Sequence, residues 1–564
     1  MRINRKKITN QNTIDCAELC ATGGITMNNC KRGTEMDGEL NVVRYEDFGA
    51  VGDGVTDDSK AIRAAHNAAN EAGLPVLGRA DATYYIVTLE SSIVIKTSTD
   101  WNGAELIFDD SAIHWESKLR DVYVFFVESD SNPVSVSVPE GMKLSKGQTN
   151  IGMTFDKPCV IKIENAGEKI YRRYGENANG GVNMNEMILV DERGNVDPST
   201  PIQYNYSAVT KITVYSTDDK PISVGNGRIK TVVPQPKKID PDYDNHYCYY
   251  GRGLAVARSN TTVYGIEHSI EGEDMTIEID RNGDGVIDFW GADKSYGVPY
   301  IGFFYFRSCN NVTMTDCLLQ GHQAYSFWQG ATRNEPGNIR NEMGSYDLNA
   351  TDCVNLTLKN LTQYENKETG EVITNRKMYH GVMGSNFCRN ITMDNCYVDR
   401  FDSHQGVHNA KITNCTLGFG ILVIGGGELY IENVHRISGN AFIHLRMDYN
   451  SVFDGDVIIK NCRCGENMTK IIEGRWVRFY NGLDNHVTNS LSVDGLRCDS
   501  GEMSLYAIYN ADPGSLTDDV NKLYLPKKIK FSGVYASDGT TSITPKIAEQ
   551  EDVFLLENIS VETD

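Results

Sequence analysis

The sequence predicts an all-β chain wound as a parallel solenoid, and three observations carry that expectation. From residue 300 onward a short strand pattern recurs, each copy ending in Asn or Asp. A glycine-rich turn with a helix behind it stands ahead of the first strands. Weaker copies of the repeat, at Asn260–Gly265, Ser490–Gly495 and Val553–Asn558, carry the pattern almost to the C-terminus. Repetition at a near-fixed period is what a coil stacked on itself leaves in a sequence.

The first element is the run Asp47-Phe48-Gly49-Ala50-Val51-Gly52-Asp53-Gly54-Val55-Thr56-Asp57-Asp58. Its glycines mark backbone that turns tightly or adopts positive φ. Thr56-Asp57-Asp58-Ser59 then offers side-chain oxygens to cap a helix over 58–72. Ala61, Ile62, Ala65, Ala68, Ala69 and Ala72 recur in that stretch at helical spacing. Apolar strand segments follow at Val76-Leu77 and Tyr84–Val87. This order of turn, helix and strand resembles the N-terminal signature of the pectate-lyase superfamily of right-handed parallel β-helices. The superfamily holds polygalacturonases, other glycoside hydrolases and many phage tailspikes. The resemblance implies the fold and an end cap for the coil, and it assigns no reaction. A nucleotide-binding reading fails, because no strand precedes the glycines and the Gly-x-Gly-x-x-Gly spacing is missing.

The repeats are Asn311–Cys317, Asn355–Leu361, Asn390–Cys396, Asn409–Cys415, Glu428–Val434 and Asp456–Cys462. Each alternates apolar and polar residues, as a strand does. Their corner residues, Asp316, Asn360, Asn395, Asn414, Asn433 and Asn461, lie 44, 35, 19, 19 and 28 residues apart. The shorter steps fit three strands per coil and the longer ones the same coil with loops inserted. Asn suits the corner because it tolerates the left-handed conformation and its amide reaches the coil above. Asn-x-Thr triplets such as Asn311-Val312-Thr313 are then a by-product of the strand pattern. Residues 131–235 lack the corner and hold strand stretches between Gly, Pro and Asp turns, which predicts a β-rich inserted domain. The expected organisation is an N-terminal arm over 1–40, the cap and first coils over 41–130, the insertion, and the main coils over 236–564.

The 564 residues carry 54 Lys plus Arg against 76 Asp plus Glu, a net charge of −22 that argues against a nucleic-acid partner. No apolar run is long enough to span a membrane. Met1–Ile8 is basic but lacks an apolar stretch behind it, so no secretory signal is visible. Of the 14 cysteines, Cys317, Cys396, Cys415 and Cys462 share one repeat position. Small apolar thiols suit an interior ladder, and parallel side chains oppose disulfide closure, so reduced thiols and a cytoplasmic location are expected. A tailspike would instead be secreted or virion-associated. Cys16, Cys20 and Cys30 lack a fourth ligand for a metal.

A solenoid of this kind binds extended polymers along one face, so polar residues that interrupt the apolar pattern are the candidates for chemistry. The densest stretch is Asp399–His408, where Asp402 and His404 are expected to share a strand face beside Met383 and Ser385 of the preceding coil. His444, Arg446 and Asp448 alternate two coils later, and His380, His322, Tyr325 and Asp347 sit near the strands before them. Carboxylates beside imidazole and guanidinium are what glycoside hydrolysis uses. Asp402, Asp448 and His404 are therefore the expected catalytic groups. Arg446, His380, His322, Tyr325, Asp347 and His444 are expected to bind an oligosaccharide or polysaccharide, with no cofactor in the catalysis. Polygalacturonases carry Asn-Thr-Asp, Asp-Asp, Gly-His-Gly and Arg-Ile-Lys in order. Here only Arg228-Ile229-Lys230 occurs, ahead of the main coils, which opposes that machinery. Phe401-Asp402-Ser403-His404 resembles the Asp-Pro-His segment of alginate C5-epimerases and departs at the middle residue. A lyase or epimerase with His404 as base and Arg446 on the uronate carboxylate stays open, as does a glycan-binding tailspike or adhesin, commonly a homo-oligomer.

A separate stretch, Asp280-Arg281-Asn282-Gly283-Asp284-Gly285-Val286-Ile287-Asp288, places oxygen donors where a calcium loop has them. Asp280, Asn282, Asp284, Val286 and Asp288 would hold a structural Ca²⁺. Gly291 in place of the closing Glu excludes a full EF-hand, and a hairpin turn accounts for the same residues.

Overall fold

The computed structural model describes residues 41–87, 89–113, 122–174, 179–233, 251–272, 278–279, 289–290, 301–321, 346–366, 371–372, 382–478, 484–511, 520–550 and 559–563. Within them the chain is a right-handed parallel β-helix with 30 strands in one continuous sheet. The expected arm over 1–40, the calcium loop from Asp280 to Asp288, and His322, Tyr325 and His380 lie outside the described residues. No described helix is long and apolar enough to cross a membrane.

Each coil turns three times, so its strands form three stacks. The first stack holds Phe125–Glu128, Gly251–Ala257, Gly302–Arg307 and Leu348–Thr351, and continues through 382–386, 401–405, 421–423 and Ala441–Leu445. The second runs through Asn310–Thr315, Val354–Lys359, 389–394, 407–413 and Gly425–Glu432. The third is built from shorter pieces, among them Leu318–Leu319 and His435–Arg436. Alternation puts one face of each strand inside. Met314, Leu358, Met393, Ile412, Ile431, Ile459 and Val493 form one buried ladder of the second stack. Burying a side chain of this size contributes ~1.5–3 kcal/mol, repeated at every rung.

The Asn corners bend as expected, with positive φ at Asn360, Asn395, Asn414, Asn433 and Asn461. Their amides also link the coils: Asn360 Nδ2 donates to Asp316 Oδ1 at 2.7 Å and Asn395 Nδ2 to Asn360 Oδ1 at 2.8 Å. A second ladder, at the other end of the same strands, joins Asn355, Asn390 and Asn409 at 2.9–3.0 Å. The Asn side chains of the Asn-x-Thr triplets at Asn311 and Asn390 are thus engaged in coil stacking. Asn414 separates the two roles of a corner residue: Asn414→Gly keeps the left-handed backbone and loses the bonds, whereas Asn414→Ala loses both. The alanine variant is expected to be less stable than the glycine variant by about 1 kcal/mol, read from denaturant midpoints.

The N-terminal helix spans Ser59–Ala72 and closes the open end of the coil with Ile62, Ala65, His66 and Ala69 buried. The expected capping differs in detail. Asp58 occupies the N-cap without a side-chain cap bond. Its carboxylate instead accepts from the N–H groups of Val51 at 2.7 Å, Gly52 at 3.2 Å and Tyr85 at 3.3 Å, stapling the glycine turn to the first strands. Gly52 has φ +66°, and a Cβ there would lie 2.8 Å from Ala82.

The insertion is a four-stranded antiparallel sheet in the order Val182–Val190, Cys159–Ile170, Lys211–Tyr215, Val134–Val136. It has its own core, including Ile161, Ile163, Ile188, Ile202, Tyr206 and Ile212. The expected boundary at 235 is too late. Ile222–Val232 pairs in parallel with Thr99–Asp100, Glu105–Asp109 and Thr261–Glu271 and is a coil. Arg228-Ile229-Lys230 therefore belongs to the coils and not to the insertion. The corner that marks it is Asn226, φ +59°, flanked by Gly225 and Gly227. The ten described cysteines are all buried, and none of them is in a disulfide.

Candidate functional site

The inserted sheet lies over the corner between the first and second stacks, and two polar clusters form beneath it. One surrounds Asp402. Its strand neighbours are Gly384 and Leu422, not the expected Met383 and Ser385. Residues 402–405 oppose 384–386, so one extra residue bulges the strand and breaks the simple alternation of Asp402 with His404. Asp402 is fully buried. It accepts from Arg446 Nη1 at 3.0 and 3.2 Å and from Tyr346 Oη at 3.1 Å, with Arg400 Nη2 at 2.9 Å.

The strand ends at Leu445, and Met447–Tyr449 form a 3₁₀ turn, so Arg446 and Asp448 do not alternate along a strand as expected. Arg446 instead grips Asp448 with Nε at 3.0 Å and Nη2 at 2.9 Å, while Arg173 of the insertion reaches Asp448 Oδ2 at 2.8 Å. Burial pushes both carboxyls up, but the guanidiniums dominate. Asp402 is held below the usual range by Arg400 and Arg446, and Asp448 is pulled down to about 2 by Arg446 and Arg173. His404 is pushed down to about 3 by burial and by Arg446. Its ring meets Tyr449 edge-on at 5.9 Å. Asp402, His404, Arg446 and Asp448 are thus gathered in one cluster, as an interior ion network with no protonated carboxyl. His444 faces away from it: Nδ1 lies 3.1 Å from Glu473 Oε2 of the next coil. Asp347, also buried, accepts from the Gln363 amide inside the coil.

The second cluster lines a cleft of about 90 Å³ at the seam between insertion and coils. Tyr171, Asn185, Glu186, Gln203 and Tyr204 come from the insertion, and Phe387, Arg389, His408 and Asp454 from the coils. Its floor is bare because Gly406, Gly425 and Gly426 form it. A Cβ on Gly425 would lie 2.1 Å from Val407 O, and one on Gly426 2.4 Å from Asp454 O, so no other residue fits. Glu186 and Arg389 are ion-paired and buried, and the Gln203 N–H adds a bond to Glu186 at 2.9 Å. Burial pushes the Glu186 carboxyl up, against the pull of Arg389. Asp454 is also pushed up by burial, but Lys146 and Asn489 hold it below the usual range. His408, 2.8 Å from the Gln203 amide, is lowered to about 3, chiefly by burial and next by Arg389. Tyr171 and Tyr204 share a hydroxyl contact of 3.0 Å, and the Tyr171 ring lies 6.1 Å from Phe387.

Sequence reasoning missed this cleft. Gly425-Gly426-Gly427 and the position of His408 were visible in it, but the insertion residues that complete it were not.

No family model and no characterised protein matches the sequence. Among solved structures the chain is similar to the tailspike gp49 of Pseudomonas phage LKA1, at 13% identity over 89% of this chain and 84% of that one, with a TM-score of 0.47. The tailspike gp61 of Pseudomonas phage phi297 gives 12% identity, 91% and 78% coverage and a TM-score of 0.48. The catalytic unit of a GH87 α-1,3-glucanase from Streptomyces thermodiastaticus strain HF3-3 gives 10%, 94% and 69%, with 0.33. Similarity at this level carries nothing about which residues act.

Proposed function

We propose that the protein is a carbohydrate-active enzyme, a glycoside hydrolase that holds an oligosaccharide or polysaccharide at the seam cleft. One observation carries this reading: a single cleft gathers aromatic faces, amide and hydroxyl groups, and two carboxyls whose surroundings shift them in opposite directions. Aromatic rings pack on sugar C–H faces while amides and hydroxyls bond the sugar oxygens. Opposed carboxyls are the arrangement for acid and base in glycoside cleavage. Glu186, ion-paired with Arg389 in the closed seam, takes the proton-holding role once the sugar separates that pair, and Asp454 the ionised one, activating water or attacking the anomeric carbon. Asp402 and Arg446 become positioning residues. Asp448, 29% exposed, stays at the edge of the Asp402 cluster and outside the lining of the cleft.

A broad glycan panel read by mass spectrometry tests this proposal. Asp454→Asn is expected to lower turnover by about 10²–10⁴-fold. It should leave the melting temperature nearly unchanged, because the Lys146–Asp454 pair is solvent-exposed. A variant that cleaves as fast as the wild type removes Asp454 from the chemistry. No product from any glycan, with binding retained, would make the protein a saccharide-binding tailspike or adhesin.

A second reading is favoured by His408. A neutral imidazole at hydrogen-bond range of the cleft, with Arg389 beside it to neutralise a uronate carboxylate and acidify its C5–H, would take that proton once ligand binding raises its basicity, giving β-elimination or epimerisation. Ultraviolet absorbance of an unsaturated product, or solvent deuterium at C5, separates it from hydrolysis.

A further inference from the structure

The seam that holds the cleft is joined mainly by charge. Among the described residues four ion pairs cross it: Lys146 Nζ–Asp454 Oδ2 at 2.9 Å, Lys162 Nζ–Asp352 Oδ2 at 2.7 Å, Arg173 Nη2–Asp448 Oδ2 at 2.8 Å, and Glu186–Arg389. Three cations and one carboxylate of the insertion thus face three carboxylates and one guanidinium of the coils. The fully buried apolar part is small by comparison, Val160 and Met187 against Val354. Contacts of this polar kind between parts of one chain permit relative motion.

The ends of the insertion are fixed quite differently. Its two connections, 129–133 and 216–221, meet where buried Arg258 Nη1 lies 3.2 Å from Asp218 Oδ1 and 3.0 Å from Asp130 Oδ2. Asp218 also accepts from the Ser259 N–H at 3.0 Å and the Ser129 hydroxyl at 2.8 Å. From this clasp to the far pairs the first stack advances six strands, from Val256 through Phe306, Ala350, 384–385, Asp402 and Leu422 to His444. At ~4.8 Å per strand that is roughly 29 Å. Exposure differs between the two ends, although the Glu186–Arg389 pair between them is again only 3% exposed on each side. Arg258 and Asp218 are each 1% exposed, Lys162 and Asp352 17% and 11%, and Lys146 and Asp454 51% and 39%. The near end is a dry clasp and the far end a wet latch.

The cleft lies between them, and its size decides what the latch is for. Pockets that enclose a small organic ligand measure ~300–1,000 Å³. The seam offers about 90 Å³. The coil side cannot retreat, since its floor is glycine backbone in the strand ladder. Room for a sugar unit must come from the insertion.

We propose that the inserted sheet is a flap, hinged at 129–133 and 216–221 and latched at its far edge by Lys146–Asp454 and Arg173–Asp448, that swings from the coils to admit a saccharide to the seam cleft. The ligand class rests on the function proposed above; the motion does not. Opening separates the Tyr171 and Tyr204 faces from Phe387, His408 and Asp454, and closing brings them onto the ligand from both sides. Salt weakens the exposed Lys146–Asp454 pair by screening, the half-buried Arg173–Asp448 pair less, and leaves the buried Arg258 clasp and Glu186–Arg389 pair unscreened, so ionic strength acts on the flap through its far edge and shifts it toward open.

Met187→Cys supplies a reporter, since residue 187 is fully buried in the seam. Val160→Cys is a second one in case the first fails to fold. Pulse labelling of the full chain with a maleimide, read peptide by peptide in a mass spectrometer, compares the introduced seam thiol with the coil thiols Cys396 and Cys462. Labelling of the seam thiol is expected to quicken at least threefold between low salt and 0.5 M NaCl while the coil thiols stay protected. In a Lys146→Met/Arg173→Met background it should be fast at low salt and lose its salt dependence. Protection of the seam thiol equal to that of the coil thiols under every condition overturns the flap, as does labelling that rises only in step with them. No glycan enters these measurements, so the flap and the saccharide reading fail independently.

Discussion

Replacing Asp402 by Asn is expected to destabilise the protein by about 3–5 kcal/mol, the loss seen when one partner of a buried ion pair is removed. Asp402 has no exposed surface and is the counter-charge shared by Arg400 and Arg446. The amide keeps the volume but removes the carboxylate that faces both guanidiniums. Asp402→Ala adds a cavity and removes the acceptor for the Tyr346 hydroxyl, so it should be the worse of the two. Urea unfolding followed by circular dichroism measures both. Midpoints within about 0.5 kcal/mol of the wild type would mean the network does not hold the coil together. The contrast with Asp454→Asn is the useful one. Asp402 should fail by unfolding, whereas Asp454 should fail by turnover with the fold intact.

That contrast also explains what the sequence could and could not reveal. The coil was legible because its determinants are local: each strand alternates, and each corner Asn bends its own backbone and bonds the next rung. The end of the insertion was obscured for the same local reason, since Asn226 sits between two glycines and does not resemble the other corners. The grouping of Asp402, His404, Arg446 and Asp448 followed from coil spacing. Their roles did not, because a one-residue bulge at 402–405 and a 3₁₀ turn after Leu445 changed which way each side chain faces. Spacing says which rungs are neighbours; it carries no information on burial beneath a separate sheet. The cleft was less legible still. Lys146 and Asp454 are 308 residues apart, and Glu186 and Arg389 203 apart. Pairings of that range leave no periodic trace, and only the glycine run at 425–427 hinted that a strand face had been stripped of side chains.

Acid should begin to unfold the protein well above the pH at which its lowered carboxylates Asp448 and Glu473 titrate. Three histidines, the buried His66 and the half-buried His404 and His408, are each pushed down to about 3, chiefly by loss of solvent. In the unfolded chain they titrate near 6.5. Between those values the unfolded state binds protons that the folded state refuses, so stability rises with pH there. The stability held with neutral imidazoles is therefore complete above pH ~6.5 and is lost progressively as pH falls toward 3. At pH ~5 the buried His66 accounts for about 2 kcal/mol, and the half-buried His404 and His408 for less each because solvent screens them. Asp448 and Glu473, both lowered to about 2, act in the same direction but later. Their contribution is intact above pH ~4 and is lost only as pH falls from there through their folded values. The expected result is a urea midpoint that is flat above pH ~7 and falls steeply from ~6.5 to ~5, before the lowered carboxylates Asp448 and Glu473 respond. His66→Phe tests the cause, because this ring already packs on Phe125 in the end cap and takes no part in either cluster. The variant loses the 3.0 Å contact with Tyr45 Oη and should be less stable at neutral pH. Its slope of stability against pH should nevertheless be shallower, by up to ~1.4 kcal/mol per pH unit for the one missing proton. An unchanged slope would mean that His66 is protonated alike in both states, and a flat midpoint across that whole acid range would dismiss all three histidines.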